Sequence, residues 1–150
     1  MFKKIKNYSL FFYGTLRSED VRKAVLGNLE LRLKYSKAFI IGYKLFRVKN
    51  TNYPLIIYNK NFKDPIDGIL VSGINSKILK KLDLFEGENY SRNKIVAFEK
   101  GEEKKNYVDI YMPNKALDYS DIWVYEDWEQ KNKSNFFKTD FNINGVLKPN

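Results

Sequence analysis

The chain has 150 residues, within the roughly 100–200 expected of one domain, and 43% of them are hydrophobic, enough for a core without staples. It contains neither His nor Cys, which excludes disulfides, a Ser-His-Asp triad, a Cys nucleophile, a His base and zinc sites built on nitrogen and sulfur. The net charge is +9, from 27 Lys and Arg against 18 Asp and Glu, but the lysines are spread along the chain, which fits a compositional bias better than a nucleic-acid surface.

Lys3, Lys4 and Lys6 precede the apolar run Leu10–Tyr13. That run is too short for a signal peptide, and no cleavage motif follows it. No stretch approaches a membrane span of about 18 apolar residues, and the expectation is a soluble, cytoplasmic protein. Leu10–Tyr13 reads as a buried strand broken by Gly14. Ser18 then caps a short helix with Glu19 and Asp20 in its first turn, Val21, Ala24 and Val25 on its apolar side, and Gly27 as its stop.

Alternation over Leu29, Leu31, Leu33 and Tyr35 predicts a strand, followed by strand cores at Phe39–Ile41, Leu45–Phe46, Leu55–Tyr58 and Ile66–Val71. Asn75 predicts the cap of the best-marked helix, with Ile74 and Leu79 as a hydrophobic staple, Ile78, Leu82 and Phe85 on the buried stripe, and Gly87 as the stop. Tyr90–Phe98 and Tyr107–Met112 read as a hairpin around the turn 99–102. Ser120 or Asp121 is expected to cap a helix over Trp123–Phe137, and the segment 138–150 to form a loose tail. Short strands without regular βαβ alternation predict an α+β fold: a single domain over residues 1–150 built on a small mixed, mostly antiparallel sheet or barrel with helices outside.

Two places suit chemistry. With Ile78 at zero and about 100° per residue, Leu82 falls at about 40°, Leu79 at about 100° and Glu86 at about 80°, so Glu86 projects between core leucines. It also ends its helix, where the dipole disfavours an acid. Desolvation and dipole both raise its pKa, which suits a carboxylate that must act as base and then as acid. The alternative for Glu86 is a helix-end acid turned to water or paired with Arg92; for Asp83, at the stripe's edge, a solvated or locally bonded carboxylate. The second place is Tyr13-Gly14-Thr15-Leu16, where a strand ends in glycine and the following N–H groups can face an anion. A glycine in that position can equally serve only as a turn.

Together these motifs resemble the gamma-glutamylcyclotransferase-like family, and its plant avirulence-induced and gamma-glutamylamine cyclotransferase branch in particular. The resemblance lies in Phe11-Phe12-Tyr13-Gly14-Thr15-Leu16, Tyr53-Pro54-Leu55, Asp67-Gly68-Ile69-Leu70, Leu82-Asp83-Leu84-Phe85-Glu86 with Tyr90 and Arg92, and the segment Trp123–Phe137 with Glu126, Asp127 and Trp128. It spans residues 9–140. The chain departs from the family pattern at Arg17-Ser18-Glu19-Asp20, which lacks a glycine-rich continuation, and along Tyr107–Tyr111.

The resemblance implies a barrel of about six strands with flanking helices and a cavity floored by the Tyr13–Leu16 loop. It implies an acyltransferase-type activity in which a γ-glutamyl amide is cleaved by its own α-amine, releasing 5-oxoproline and an amine. Glu86 would be the catalytic base and acid, with Tyr13, Gly14, Thr15, Leu16 and Tyr90 binding substrate. A small-molecule γ-glutamyl substrate is expected, with no metal, cofactor, nucleic acid or membrane partner. The alternative is a non-catalytic small-molecule binding or regulatory module on the same fold.

Overall fold

The structure is a computed structural model and describes residues 6–102 and 104–141. Its chain order is β1 (Tyr8–Phe12), a 3-10 turn (Thr15–Arg17), α1 (Glu19–Leu26), a 3-10 stretch (Gly27–Arg32), β2 (Lys34–Ile40), β3 (Tyr43–Val48), β4 (Pro54–Tyr58) and β5 (Ile66–Ile74). There follow α2 (Ser76–Glu86), β6 (Tyr90–Glu99), β7 (Lys105–Pro113), β8 (Tyr119–Ile122), α3 (Tyr125–Lys131), the single turn α4 (Lys133–Asn135) and a π-helical turn (Phe136–Asp140). Among the described residues no helix is long and apolar enough to cross a membrane.

Five strands close a barrel in the order β1-β5-β2-β6-β7. All neighbours are antiparallel except β1 and β7, which meet in parallel where Leu10 faces Asp109. The expected small, mixed and mostly antiparallel barrel of about six strands is present with five, while β3 and β4 pair with each other and take β8 as a third partner in a separate sheet, ordered β4-β3-β8. Gly42, at φ 96°, turns the chain out of β2 into this second sheet.

Closure brings backbones close together inside the barrel. A Cβ on Gly68 would overlap the Phe12 carbonyl oxygen and lie 2.5 Å from Phe11 Cζ, so only glycine lets β5 cross β1 there. Leu10, Ala38, Val71, Ala97 and Ile110 are fully buried in the same core.

Helix α2 follows its sequence signals. Asn75 Oδ1 accepts from the Ile78 N–H at 2.8 Å, Ile78, Leu79, Leu82 and Phe85 are buried, and Gly87 stops the helix. Ser18 likewise caps α1, accepting from the Val21 N–H at 3.4 Å.

Two elements differ from expectation. The alternating leucines after Gly27 form a 3-10 stretch, not a strand, which leaves Leu31 77% exposed and turns Glu30 inward to Arg22. The helix expected from Ser120 or Asp121 starts only at Tyr125, because residues 119–122 are drawn into β8 along the edge of β3. In the expected tail, Lys138–Asp140 complete the π turn and Phe141 packs on Phe85 and Phe136; residues 142–150 lie outside the described residues.

Candidate active site

A cavity of about 620 Å³ opens where the barrel, the end of α2 and the second sheet meet. Strand β1 and the turn after it contribute Phe11 to Leu16, the β3–β4 connection contributes Thr51 and Tyr53, the first residue of β4 contributes Pro54, and Glu86 and Tyr90 enter from either side of the Gly87 break. Every site residue expected from sequence, Tyr13, Gly14, Thr15, Leu16, Glu86 and Tyr90, lines this one cavity.

Glu86 is the last residue of α2 and keeps partial exposure because its side chain faces the cavity. Surrounding protein atoms strip water from the carboxyl and raise its pKa from 4.5 to about 8, and the Asp83 charge adds to the rise. Arg92 is committed elsewhere: its Nε donates to Asp83 Oδ1 at 3.1 Å, and its guanidinium lies 3.7 Å from Asp109. Asp83 is therefore a locally bonded carboxylate, which also accepts from the Tyr111 hydroxyl at 2.7 Å.

The tyrosines frame the space. Tyr13 is buried and its hydroxyl donates to the Tyr111 carbonyl at 2.6 Å, while burial, then the charges of Glu86 and Tyr90, hold that phenol well above its ordinary pKa. The Tyr90 hydroxyl donates to the Pro54 carbonyl at 3.2 Å, tying the start of β6 to the start of β4. Burial raises its pKa, and the Glu86 charge adds to this. Both phenols spend their protons on the protein and keep oxygen lone pairs for a ligand.

Gly14 precedes a single 3-10 turn, closed by the Arg17 N–H on the Gly14 carbonyl and the Ser18 N–H on the Thr15 carbonyl, each at 3.0 Å. Its missing side chain makes room for Pro54, whose Cγ would lie 3.0 Å from a Cβ there. The N–H groups of Thr15 and Leu16 find no acceptor among the described residues, as expected of the first residues of such a turn. Glu86, with its raised pKa, and Thr15 and Leu16, which carry these N–H groups, line one cavity. That combination offers proton transfer beside a developing oxyanion.

Residues 10–130 match the family model described as "Gamma-glutamyl cyclotransferase, AIG2-like". The chain belongs to this family. AIG2-like protein C of Arabidopsis thaliana is 31% identical over 132 residues, covering 86% of this chain and 73% of the relative. A solution structure of an Arabidopsis thaliana protein superposes with a TM-score of 0.67 at 25% identity, over 91% of this chain and 90% of its own. A solved gamma-glutamyl cyclotransferase reaches a TM-score of 0.65 over 97% and 90% of the two chains, and at 14% identity it shows the common fold alone.

Sequence reasoning missed several residues around the cavity of this AIG2-like chain. Tyr111 falls in the Tyr107–Tyr111 stretch where the chain departs from the family pattern and is not singled out by the sequence, but it lines the cavity and links Tyr13 to Asp83. Tyr53 lines it too, and its hydroxyl donates to Asp140 from the π turn. That bond joins residues 87 positions apart, and no local pattern signals it. Among the described residues no three Asp or Glu side chains gather into a metal site.

Proposed function

We propose that this protein is a gamma-glutamyl cyclotransferase-type enzyme with Glu86 as its general base and acid. The observation that carries the reading is the Glu86 carboxyl, proton-retentive and lining the same cavity as the Tyr13–Leu16 turn. Family membership supports the reaction class.

In the reaction, the α-ammonium of a γ-glutamyl amide gives a proton to the Glu86 carboxylate. The freed amine attacks the γ-carbonyl carbon, forming a C–N bond and a five-membered ring. The tetrahedral oxyanion is met by the Thr15 and Leu16 N–H groups. Glu86 then gives its proton to the departing nitrogen as the oxyanion collapses and the original amide C–N bond breaks; the carboxylate so regenerated takes the second proton from the ring nitrogen and passes it to the released amine, leaving 5-oxoproline, an ammonium product and ionised Glu86. Because nucleophile and electrophile belong to one molecule, most of the barrier reduction comes from holding a near-attack geometry. Desolvation favours the transfer, since moving the proton from ammonium to carboxylate replaces two buried charges with two neutral groups.

The test is Glu86→Gln assayed for 5-oxoproline against a panel of γ-glutamyl amines, γ-glutamyl amino acids and glutathione. The expected result is loss of release from every substrate the wild type cleaves, with the folded state retained. A variant with wild-type turnover would overturn the assignment of Glu86.

A further inference from the structure

The Thr15–Arg17 turn is gripped from behind by a buried ion pair that the Glu86 chemistry does not use. Arg22 on α1 and Glu30 in the following 3-10 stretch are 3% and 4% exposed. Arg22 Nε donates to Glu30 Oε1 at 3.3 Å, and Nη1 donates to the carbonyls of Leu16 at 3.0 Å and Arg17 at 2.8 Å. The guanidinium carbon also lies 5.1 Å from the centre of the Tyr35 ring. On stability grounds the arrangement is hard to justify, because a buried ion pair rarely outdoes apolar side chains of similar volume. Helix α1 already buries Val21, Val25 and Leu26.

What the pair does is visible in the hydrogen bonds that continue from it. The peptide units whose carbonyls accept from Arg22 carry the N–H groups of Arg17 and Ser18, and these donate to the carbonyls of Gly14 and Thr15. The latter two peptide units end in the Thr15 and Leu16 N–H groups, the donors left unspent beside the cavity. Two short chains of hydrogen bonds thus run from one guanidinium to the two donors. A charge-assisted bond at the head of such a chain polarises the peptides after it and makes the terminal N–H a stronger donor. On the outer side, the Arg17 guanidinium stacks 4.2 Å from the Tyr125 ring centre, so the turn is held from both flanks.

We propose that Arg22 is a positioning residue: through the Leu16 and Arg17 carbonyls it fixes the turn and strengthens the Thr15 and Leu16 N–H groups as donors to a substrate oxygen. The proposal rests on reading the cavity as a γ-glutamyl site. Glu30 serves it by keeping the guanidinium in place and balancing its buried charge.

The experiment compares the wild type with Arg22→Met/Glu30→Met, which replaces the pair by apolar side chains, with Arg22→Lys, and with Lys23→Met, which removes an exposed ion pair with Glu19 on the same helix. Two readouts are taken: 5-oxoproline release from a substrate the wild type cleaves, and amide hydrogen exchange at Arg17 and Ser18. The double variant is expected to lose at least about tenfold in kcat with KM changed far less, since the donors act on charge that develops in the transition state. Its Arg17 and Ser18 amides should exchange faster while those of β5 do not. Arg22→Lys keeps the charge without the planar fork and should fall between the two, while Lys23→Met matches the wild type in both readouts.

A double variant with wild-type kcat and exchange overturns the proposal. If the double variant does not fold, Arg22→Lys decides: wild-type values in both readouts overturn it. If the wild type cleaves no γ-glutamyl compound, the cyclotransferase reading fails, and unchanged exchange at Arg17 and Ser18 then overturns the clamp separately.

Discussion

Glu86 sits where an acid is least welcome, at the carboxyl end of a helix and against core side chains, and the cost has a definite pH signature. The folded chain holds the Glu86 proton more tightly than the unfolded chain, with a pKa of about 8 against 4.5. The carboxyl therefore costs nothing below about 4.5, and the fold loses stability as pH rises towards about 8, by at most ~1.4 kcal/mol per unit. Glu86→Gln removes this loss. Its melting temperature should exceed that of the wild type by an amount that grows between pH 5 and pH 9, followed by calorimetry at several pH values; a constant gap would show that the carboxyl is not desolvated. The same ionisation governs activity, so kcat/KM of the wild type should rise with pH through about 8. A profile flat across that range would remove Glu86 as the base.

Elements show which sequence signals were sufficient. Both predicted caps, Ser18 and Asn75, act through their own side chains within three residues, so local chemistry decides them. For that reason Asn75→Ala should cost about 1 kcal/mol, measured by denaturant unfolding, with catalysis intact. The failures are nonlocal. The leucines after Gly27 satisfy a strand template, but Glu30 is pulled inward by an arginine eight positions earlier, and period-two counting does not register that pull. Residues 119–122 carry no strand signal of their own; β8 forms because Phe46 and Val48 on β3 offer an edge, with the Phe46 and Tyr119 rings 4.7 Å apart. Of the site, Glu86 and the Tyr13–Leu16 turn were legible because helix phase and a glycine break announce them. Tyr53 and Tyr111 were not, because their place at the cavity depends on strands paired across the chain. Gly68 reads locally as a weak point in a strand, whereas in the barrel it is where β5 clears β1. Gly68→Ala should destabilise by at least ~2 kcal/mol, seen as a lowered unfolding midpoint; a neutral effect would mean that the crossing relaxes easily.

At the scale of the whole molecule, the excess of nine positive charges acts on stability more than on recognition. Among the described residues, two ion pairs, Lys23 with Glu19 and Lys100 with Asp67, join partners that are both exposed, and pairs of that kind contribute little. Mutual repulsion among the remaining cations opposes the compact state. Raising sodium chloride from about 10 mM to about 300 mM shortens the screening length to well under 10 Å, so the melting temperature at pH 7 should rise; a fall would show that the surface pairs outweigh the repulsion. Raising the pH towards the isoelectric point, about 9.5, relieves the same repulsion, but in the wild type the ionisation of Glu86 works against it. The two effects separate in the variant: Glu86→Gln should gain stability between pH 7 and pH 9 where the wild type gains less or loses. The difference between the two curves should disappear at low pH and not with salt, because screening weakens repulsion among surface charges, whereas the Glu86 penalty comes first from desolvation.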